Sequence, residues 1–339
     1  MIRKGIIPDL ITWLVIALCL GAALDWMRFL LLPPEIPSRI VVFTIPPGES
    51  LASATRRLAL NSLTSSSNRL RLLARARDDQ ARIRAGEYAL ETGWKPDRLL
   101  DALTRGPTLL HRLTIPEGLA WWQTAELTGA SGLADTDDFS VWATNATWVR
   151  SLGIPAETLE GYLWPDTYLL PRPTTNDPRP VILAMLAQFK AQAGPEFQRA
   201  GLTDPALTHD VVTLASLIEK ESARPEERAT IAGVFANRLD RGMLLQCDPT
   251  IIYGLAQAFD GNLTRNHLRD SDNPYNSYRH SGLPPGPICS PGLEAIRAAL
   301  NPEEHDLLFF VAKGDGSHKF SRTLEEHNRA VNRYQRNRP

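Results

Sequence analysis

An N-terminal run of apolar residues constrains this chain more than any other feature. From Leu10 to Leu24 the run carries no charge and is almost wholly apolar, and it resumes after Asp25 until Pro33-Pro34 stops it. As a helix, Leu10–Leu32 rises roughly 35 Å, enough to cross a hydrocarbon core of about 30 Å. The sequence therefore predicts a membrane-spanning helix at this end of the chain.

Charged residues at the two ends of the run predict its orientation. Arg3 and Lys4 precede it, and the positive-inside bias of membrane proteins then predicts a cytoplasmic N-terminus, with the rest of the chain outside the cytoplasm. Asp25 and Arg28 lie at i,i+3 and are expected to pair near the outer boundary. A signal peptide cleaved near Ala22-Ala23 is the alternative, but the apolar run continues beyond these small residues, which favours an uncleaved anchor.

The segment behind the anchor has the pattern of a small module of strands and helices. Ile40–Ile45 is predicted as a strand, Leu51–Leu60 as a helix, Ala85–Leu90 as a second strand and Asp97–Leu103 as a second helix. No G-x-G-x-x-G or G-K-[ST] motif occurs there, so its glycines are turn residues rather than a phosphate loop. We expect a small β-α-β module before residue 110.

Composition and charge exclude several classes of protein. The net charge of −1 leaves no broad basic surface, which argues against a nucleic-acid partner. The three cysteines (Cys19, Cys247, Cys289) fit neither a disulfide-rich scaffold nor a zinc site, and Cys247 and Cys289 are predicted to be independent packed thiols. The seven histidines include no H-E-x-x-H motif. No metal, no other cofactor and no protease chemistry is implied.

The second half of the chain has a helical pattern with clear boundary signals. Asp210 is expected to cap a helix over Val211–Ser222, and Pro225 is expected to open a second helix that Gly242 ends. The segment Asp270–Pro291 is rich in Pro, Gly, Asn and Ser. It is expected to be an ordered loop that lines a site, or a long connection.

Two glutamates near the end of the first of these helices are candidates for acid chemistry. On a wheel of about 100° per residue, Glu221 falls inside the apolar arc of the helix and Glu219 lies at its edge. Burial raises the pKa of a carboxyl, so Glu221 could stay protonated near neutrality and act as a general acid. The alternative is that Glu221 only pairs with Arg224 or Arg228.

The surroundings of Glu221 contain a series of short motifs in a fixed order. They are EGYLWPDTY (160–168), LASLIEKES (214–222), VFANRL (234–239), GMLLQCDPT (242–250), YG (253–254), YNSY (275–278), GLPPGPI (282–288), FFVA (309–312), HKF (318–320) and HN (327–328). Together they resemble the YceG-like endolytic murein transglycosylases. The resemblance extends over nearly the whole chain.

The resemblance implies a fold and a catalytic residue. The implied fold class is α+β, with an N-terminal transmembrane anchor over 1–34, a LysM-like β-α-β module over 35–110, and a mainly helical, lysozyme-like catalytic domain with a short β region over 111–339. The family's catalytic glutamate maps onto Glu221, in agreement with the wheel. Cys247 stands where threonine is common in the family, so a hydroxyl hydrogen bond is expected to be missing there.

The implied activity is that of a lytic transglycosylase of the bacterial cytoplasmic (inner) membrane, with its catalytic domain outside the cytoplasm. Its substrate would be the β-1,4 bond between N-acetylmuramic acid and N-acetylglucosamine in peptidoglycan strands. Glu221 would protonate the departing oxygen and then deprotonate the muramic acid C6 hydroxyl, leaving a 1,6-anhydro end. Glycan polymerases and other wall-synthesis proteins are the implied partners.

Other polar and aromatic residues of the motifs are candidates for holding the glycan, since planar hydrogen-bonding groups and aromatic faces suit sugars. The predicted substrate-binding residues are Gln246, Asp248, Tyr275, Asn276 and Tyr278, and the predicted supporting residues are Glu219, Asn237, Trp164 and Asp166. Each has a purely structural alternative: Asp248 could serve as a helix cap alone, and the tyrosines could serve only to pack the loop.

Two other functions remain open at this point. In the first, water is the acceptor and Asp248 is the partner carboxylate of a hydrolase. In the second, the protein is an anchored glycan-binding scaffold without enzymatic activity, and the LysM-like module supplies the affinity. The products of the reaction would separate the first from a transglycosylase, and the behaviour of Glu221→Gln would decide the second.

Overall fold

The helices and strands of the chain are grouped in two units. The computed structural model describes residues 6–173, 175 and 177–336, with the backbone alone at 6–9 and 257. Within them, the first unit runs to His111 and takes in Pro171–Thr175, and the second unit comprises Arg112–Leu170 and the chain from Asn176 onwards. Both units contain helices and strands, so the predicted mixture of the two is confirmed.

The apolar N-terminal run forms one long helix, α1 (Ile6–Leu31). Its segment Leu10–Leu31 is long and apolar enough to cross a membrane, judged by length and composition alone. Asp25 pairs with Arg69, so the predicted pairing of Asp25 with Arg28 is wrong. Arg3 and Lys4, on which the predicted orientation rests, lie outside the described residues.

The rest of the first unit is a two-stranded sheet covered by helices. In chain order its elements are β1 (Ile40–Ile45), α2 (Leu51–Leu60), α3 (Ser67–Ala76), β2 (Gly86–Glu91) and α4 (Pro96–Thr104). The strands are antiparallel, with Ile40 opposite Glu91 and Ile45 opposite Gly86. The predicted strand and helix at β1 and α2 are confirmed to the residue, whereas α3 was not predicted.

The core of the first unit includes the end of α1. Phe29 is only 2% exposed and packs in one cluster with residues such as Phe43, Leu58, Tyr88 and Leu100. The side chains of residues 10–24 are exposed, as expected of a lipid-facing surface. The first part of α1 is therefore exposed, and its last turns pack in the core of the first unit.

The second unit is mainly helical with two short sheets. Its elements are β3 (Leu110–Thr114), α5 (Trp121–Ala130), α6 (Thr136–Ala143), α7 (Ala146–Ser151), β4 (Thr167–Pro171), α8 (Arg179–Arg199), α9 (Pro205–Glu221), α10 (Arg228–Asp240), α11 (Asp248–Leu255), α12 (Arg265–Arg269), α13 (Leu293–Leu300), β5 (Phe309–Ala312), β6 (His318–Ser321) and α14 (Leu324–Val331). Strands β3 and β4 pair, and β5 and β6 form an antiparallel hairpin.

Helix α9 begins earlier than the sequence suggested. Its cap is Asp204, whose side chain accepts a hydrogen bond from the backbone N–H of Ala206, and Pro205 is the first helical residue. The predicted cap at Asp210 is therefore wrong. Proline at the first helical position is favourable because its missing N–H would be unpaired there in any case.

The connection after α9 follows the prediction. Pro225–Glu227 forms a turn of 3₁₀ helix that leads into α10. Gly242 follows the end of α10 with a φ of 65°, a left-handed conformation that glycine adopts without strain. The segment 270–291 contains neither helix nor strand, so the prediction of a long ordered loop is also confirmed.

Candidate active site

Glu221 is the last residue of α9 and lies in the wall of a cleft in the second unit. The inner face of α9 is held by fully buried residues such as Val212, Leu217 and Ile218. The cleft has a volume of about 450 Å³, and its polar lining includes Glu221, Arg238, Gln246, Asp248, Tyr278 and His318. These residues come from α9, α10, the start of α11, the long loop and the β5–β6 hairpin.

The electrostatic surroundings of Glu221 favour its protonated form. Burial is the largest influence and raises the pKa of Glu221 above its ordinary value, and the charge of Asp248 adds to this effect. A hydrogen bond from Cys247 and the charge of Arg238 act in the opposite direction, as does the charge of His318 when its ring is protonated. The net result is a carboxyl that keeps its proton to a higher pH than an exposed glutamate does.

An ion pair does not explain the position of Glu221. Arg228 donates to Glu219 at 3.0 Å, and Arg224 donates to the backbone oxygen of Asp315 at 2.8 Å. Neither arginine is a partner of Glu221 in the part of the chain that the structure describes. The alternative in which Glu221 only pairs with one of them is therefore not supported.

Glu219 is also shielded from water, which the helical wheel did not predict. Its side chain is 8% exposed, and it accepts hydrogen bonds from Arg228 and from the backbone N–H of Gly292. Burial raises its pKa as well. The wheel considers one helix alone, whereas Glu219 is covered by residues that α10 and the end of the long loop bring to it. Its carboxylate is occupied by structural partners.

Cys247 is the direct neighbour of Glu221. Its thiol donates to Oε1 of Glu221 at a Sγ–O distance of 3.0 Å. Burial and the nearby Glu221 raise the pKa of this thiol, which keeps it protonated and able to donate. A hydroxyl hydrogen bond is missing at this position, as expected, but the thiol donates a hydrogen bond in its place. Cys247 and Cys289 are both free, as predicted.

Three of the predicted substrate-binding residues line the same cleft. The hydroxyl of Tyr278 donates to Oδ1 of Asp248 at 2.7 Å. Asp248 lies in the first turn of α11 and is exposed, and its side chain does not cap that helix. Gln246 is exposed and has a φ of 51°, which is unfavourable for a residue with a side chain. Strain of this kind is often found at functional sites.

The other two predicted substrate-binding residues do not line this cleft. Asn276 is fully buried, and its side-chain amide donates to the backbone oxygens of His267 and Asp270. The ring of Tyr275 packs on Tyr253, with their centroids 4.7 Å apart. Both residues hold the long loop in the conformation that brings Tyr278 to the cleft.

The predicted supporting residues have packing and hydrogen-bonding roles. Trp164 is buried against Phe189. Asp166 accepts a hydrogen bond from Gln188 at 2.7 Å. The amide of Asn237 donates to the backbone oxygens of His305 and Leu307, which ties α10 to the strand that follows them.

Several residues of the cleft received no role from the sequence. Arg238 is 7% exposed, and its guanidinium donates to the backbone oxygens of Leu308 and Leu245 while it lies near Glu221. His318 and His327 also line the cleft. The motifs HKF and HN contain the two histidines, but sequence spacing does not show that a hairpin about a hundred residues later returns to the end of α9.

Comparison with known proteins agrees with the resemblance noted in the sequence. The model of the YceG-like family matches residues 43–333, which is most of the chain. The chain belongs to the YceG-like family. An endolytic murein transglycosylase of Bacillus subtilis is 32% identical over 336 residues, which cover 94% of this chain and 91% of that protein.

Two further proteins are similar over large parts of the chain. An endolytic murein transglycosylase of Streptococcus pneumoniae is 34% identical over 280 residues, covering 74% of this chain and 50% of that protein. The crystal structure of a YceG-like protein from Listeria monocytogenes matches with a TM-score of 0.58 and 30% identity, covering 86% of this chain and 99% of that one.

Proposed function

We propose that this protein is a peptidoglycan lytic transglycosylase and that Glu221 is its catalytic acid and base. The observation that carries the proposal is the partly buried Glu221 carboxyl, which faces the cleft with a raised pKa and has a neutral thiol as its hydrogen-bond partner. The names of the relatives in Bacillus subtilis and Streptococcus pneumoniae, endolytic murein transglycosylases, supply the substrate.

The proposed mechanism needs a single carboxyl group. Protonated Glu221 gives its proton to the glycosidic oxygen while the bond from that oxygen to C1 of muramic acid breaks, and positive charge develops at C1. The carboxylate then removes the proton of the C6 hydroxyl of the same sugar, and that oxygen bonds to C1. The product is a 1,6-anhydro end, and Glu221 has regained its proton. No water is consumed.

The surroundings of Glu221 suit both halves of this cycle. Burial favours the acid at the start, and the thiol of Cys247 with the positive charges nearby stabilises the carboxylate after the first proton transfer. We propose Gln246, Asp248 and Tyr278 as the residues that hold the glycan, because they line the same cleft. Tyr275 and Asn276 are left as residues that shape the loop.

Hydrolysis is the second candidate, and one observation favours it. Asp248 lines the cleft close enough to Glu221 for its charge to raise the pKa of Glu221, so it could activate water opposite the acid. Its Oδ1 already accepts a hydrogen bond from Tyr278, which suits a binding role better. We therefore rank hydrolysis below the transglycosylase.

The masses of the products test the proposal. Purified murein is treated with the full chain in detergent, and the fragments are weighed by mass spectrometry. A transglycosylase gives fragments lighter by one water than those of a hydrolase, with no new reducing ends. Reducing ends in place of anhydro ends would reject the mechanism and favour Asp248 as a base. Binding without any cleavage would favour the scaffold.

The remaining parts of the proposal concern where the enzyme works. We propose that α1 is an uncleaved anchor in the cytoplasmic membrane, with the N-terminus in the cytoplasm and the cleft outside it. The first unit behind the anchor would be a LysM-like module, and the second a lysozyme-like catalytic domain. Glycan polymerases are the proposed neighbours, because an enzyme that cuts nascent strands must work beside their synthesis.

A further inference from the structure

His318 enters the Glu221 cleft on the β5–β6 hairpin and is held there by one carboxylate. Nδ1 of the ring lies 2.7 Å from Oε2 of Glu227. The backbone N–H of His318 donates to the same carboxylate, at 3.0 Å and 3.1 Å from its two oxygens. The side chain is 9% exposed. Glu227 therefore fixes both the strand position and the orientation of the ring.

The partner of Nδ1 determines which ring nitrogen is free. An ionised carboxylate only accepts hydrogen bonds, so Nδ1 carries the proton in this pair. In the neutral ring, Nε2 then has a lone pair and acts as an acceptor. Nε2 has no hydrogen-bond partner among the residues that the structure describes. The imidazole also packs edge-on against the ring of Phe310, which helps to fix its orientation.

The hairpin that carries His318 is clamped to the end of α9. Arg224 donates to the backbone oxygen of Asp315 at 2.8 Å. Three residues further along each segment, Glu227 binds His318. Both contacts come from the short connection that follows Glu221. His318 and Glu221 line the same cleft.

We propose that His318 is a glycan-binding residue of the Glu221 cleft. Its Nε2 accepts a hydrogen bond from a hydroxyl or acetamido N–H of the sugar, and Glu227 is the positioning residue that directs it. The ligand class is the saccharide backbone of the strand rather than its peptide, because a neutral imidazole acceptor suits a hydroxyl or amide donor and not a carboxylate. This inference rests on the proposed function.

Binding without cleavage tests the inference. The full chain carrying Glu221→Gln is titrated in detergent with a peptide-free oligosaccharide of alternating N-acetylglucosamine and N-acetylmuramic acid, and Kd is measured by calorimetry. Adding His318→Ala should weaken binding about tenfold, which is the worth of a hydrogen bond of about 1.4 kcal/mol. His318→Gln places an acceptor near the position of Nε2 and should recover part of the affinity.

Substitutions of two neighbouring glutamates, Glu227 and Glu226, distinguish the positioning of His318 from a general effect on stability. Glu227→Ala should weaken binding nearly as much as His318→Ala, because the ring loses its fixed orientation. Glu226→Gln changes the exposed glutamate beside it and should leave Kd unchanged. The thermal midpoint of every variant is recorded, and a variant that fails to fold is replaced by His318→Gln or Glu227→Gln.

Two results would overturn separate claims. If His318→Ala and His318→Gln both bind the oligosaccharide as tightly as the Glu221→Gln parent, His318 does not contact the glycan. If Glu221→Gln itself still cleaves, or does not bind glycan at all, the proposed function fails instead. The KM of His318→Ala in the otherwise unchanged chain gives a second measurement, and a KM equal to that of the unchanged chain also counts against the inference.

Discussion

At the scale of single residues, the site depends on how Glu221 is stabilised in two protonation states. A buried carboxyl with no donor would hold its proton too firmly, and an ion-paired carboxyl would release it too early. The structure gives Glu221 one neutral donor, the thiol of Cys247, with His318 and Arg238 further away. The strength of that donor should therefore influence the pKa of Glu221, the proposed catalytic group.

Substitution of Cys247 should move the pH profile of the enzyme. The activity of an acid that must start protonated falls as the pH rises through its pKa. Cys247→Ala removes the donor, raises the pKa of Glu221 and should shift this alkaline limb of kcat/KM to higher pH, by about one unit. Cys247→Ser provides a stronger donor and should shift the limb to lower pH.

The pH dependence of kcat/KM is measured for the three proteins with one glycan substrate. Asp248, His318 and Arg238 also influence Glu221, but they are unchanged in all three proteins. If the alkaline limbs of the three pH profiles coincide, or move in the same direction in both variants, the thiol does not set the pKa of Glu221.

The residue scale also shows what the sequence could and could not reveal about the site. Glu221 could be chosen because its helix position and its motif agree. The bond from Cys247 could not be foreseen, because it depends on the path of the backbone through Gln246, whose left-handed φ is set by tertiary contacts. Asn276 has the chemistry of a binding residue, but its burial is visible only in the fold.

At the scale of elements, the second unit contains another buried carboxyl, which lies outside the proposed mechanism. Glu160 accepts hydrogen bonds from the backbone N–H groups of Trp121 and Gly161, and thereby holds the start of α5. Burial raises the pKa of Glu160 to about 8, although these hydrogen bonds act to lower it. Its protonation should therefore be coupled to the stability of the fold.

The free energy of unfolding should fall as the pH rises from the ordinary pKa of Glu160, 4.5, to its folded value of about 8. In this range the folded chain keeps a proton that the unfolded chain releases, so each rise in pH favours unfolding. Glu160→Gln cannot titrate and should remove the part of this slope that Glu160 contributes, while Glu219 and Glu221 keep theirs. The loss of one acceptor will lower stability at every pH.

Thermal midpoints across this pH range measure the slope. Glu126→Gln, an exposed glutamate on α5, is the control and should keep the slope of the unchanged chain. A slope in Glu160→Gln equal to that of the control would show that Glu160 is ionised in the folded protein.

Local signals explain which elements could be predicted. β1 alternates exposed and buried residues, and Ser50 caps α2 by accepting from the backbone N–H of Ser53, so both elements are encoded within a few residues. α3 was missed although it also has local signals: Ser66 caps it by accepting from the backbone N–H of Arg69, and Leu70, Leu73 and Ala74 lie at helical spacing on its packed face.

At the scale of the whole molecule, the end of α1 belongs to the core of the first unit. Because Phe29 is buried there, the stretch that the proposed anchor could expose to lipid ends near Asp25 rather than at Leu32. The helix from Ile6 to Leu24 rises about 28 Å, which still matches a hydrocarbon core. We therefore expect the first unit to begin directly at the membrane surface.

Removal of the anchor should be tolerated only up to Trp26. A chain that begins at Trp26 keeps Phe29 in the core, whereas one that begins at Pro33 leaves a cavity where the ring was. Loss of a buried phenylalanine costs about 3–5 kcal/mol, so the shorter chain should have a clearly lower thermal midpoint for its first unit.

Single substitutions in the chain that begins at Trp26 provide the control. Phe29→Ala should reproduce most of the loss, and Met27→Ala, at a residue that is half exposed, should change little. Equal midpoints for the chains that begin at Trp26 and Pro33 would show that the end of α1 does not belong to the first unit.

The activity of Glu221→Gln tests the central claim most directly. The full chain, Glu221→Gln and the surface control Glu226→Gln are incubated with the same murein, and the released fragments are quantified by mass spectrometry. We predict anhydro-ended fragments from the unchanged chain and from Glu226→Gln, and a rate at least about a hundredfold lower for Glu221→Gln. Anhydro-ended fragments released by Glu221→Gln at the rate of the unchanged chain would contradict the claim.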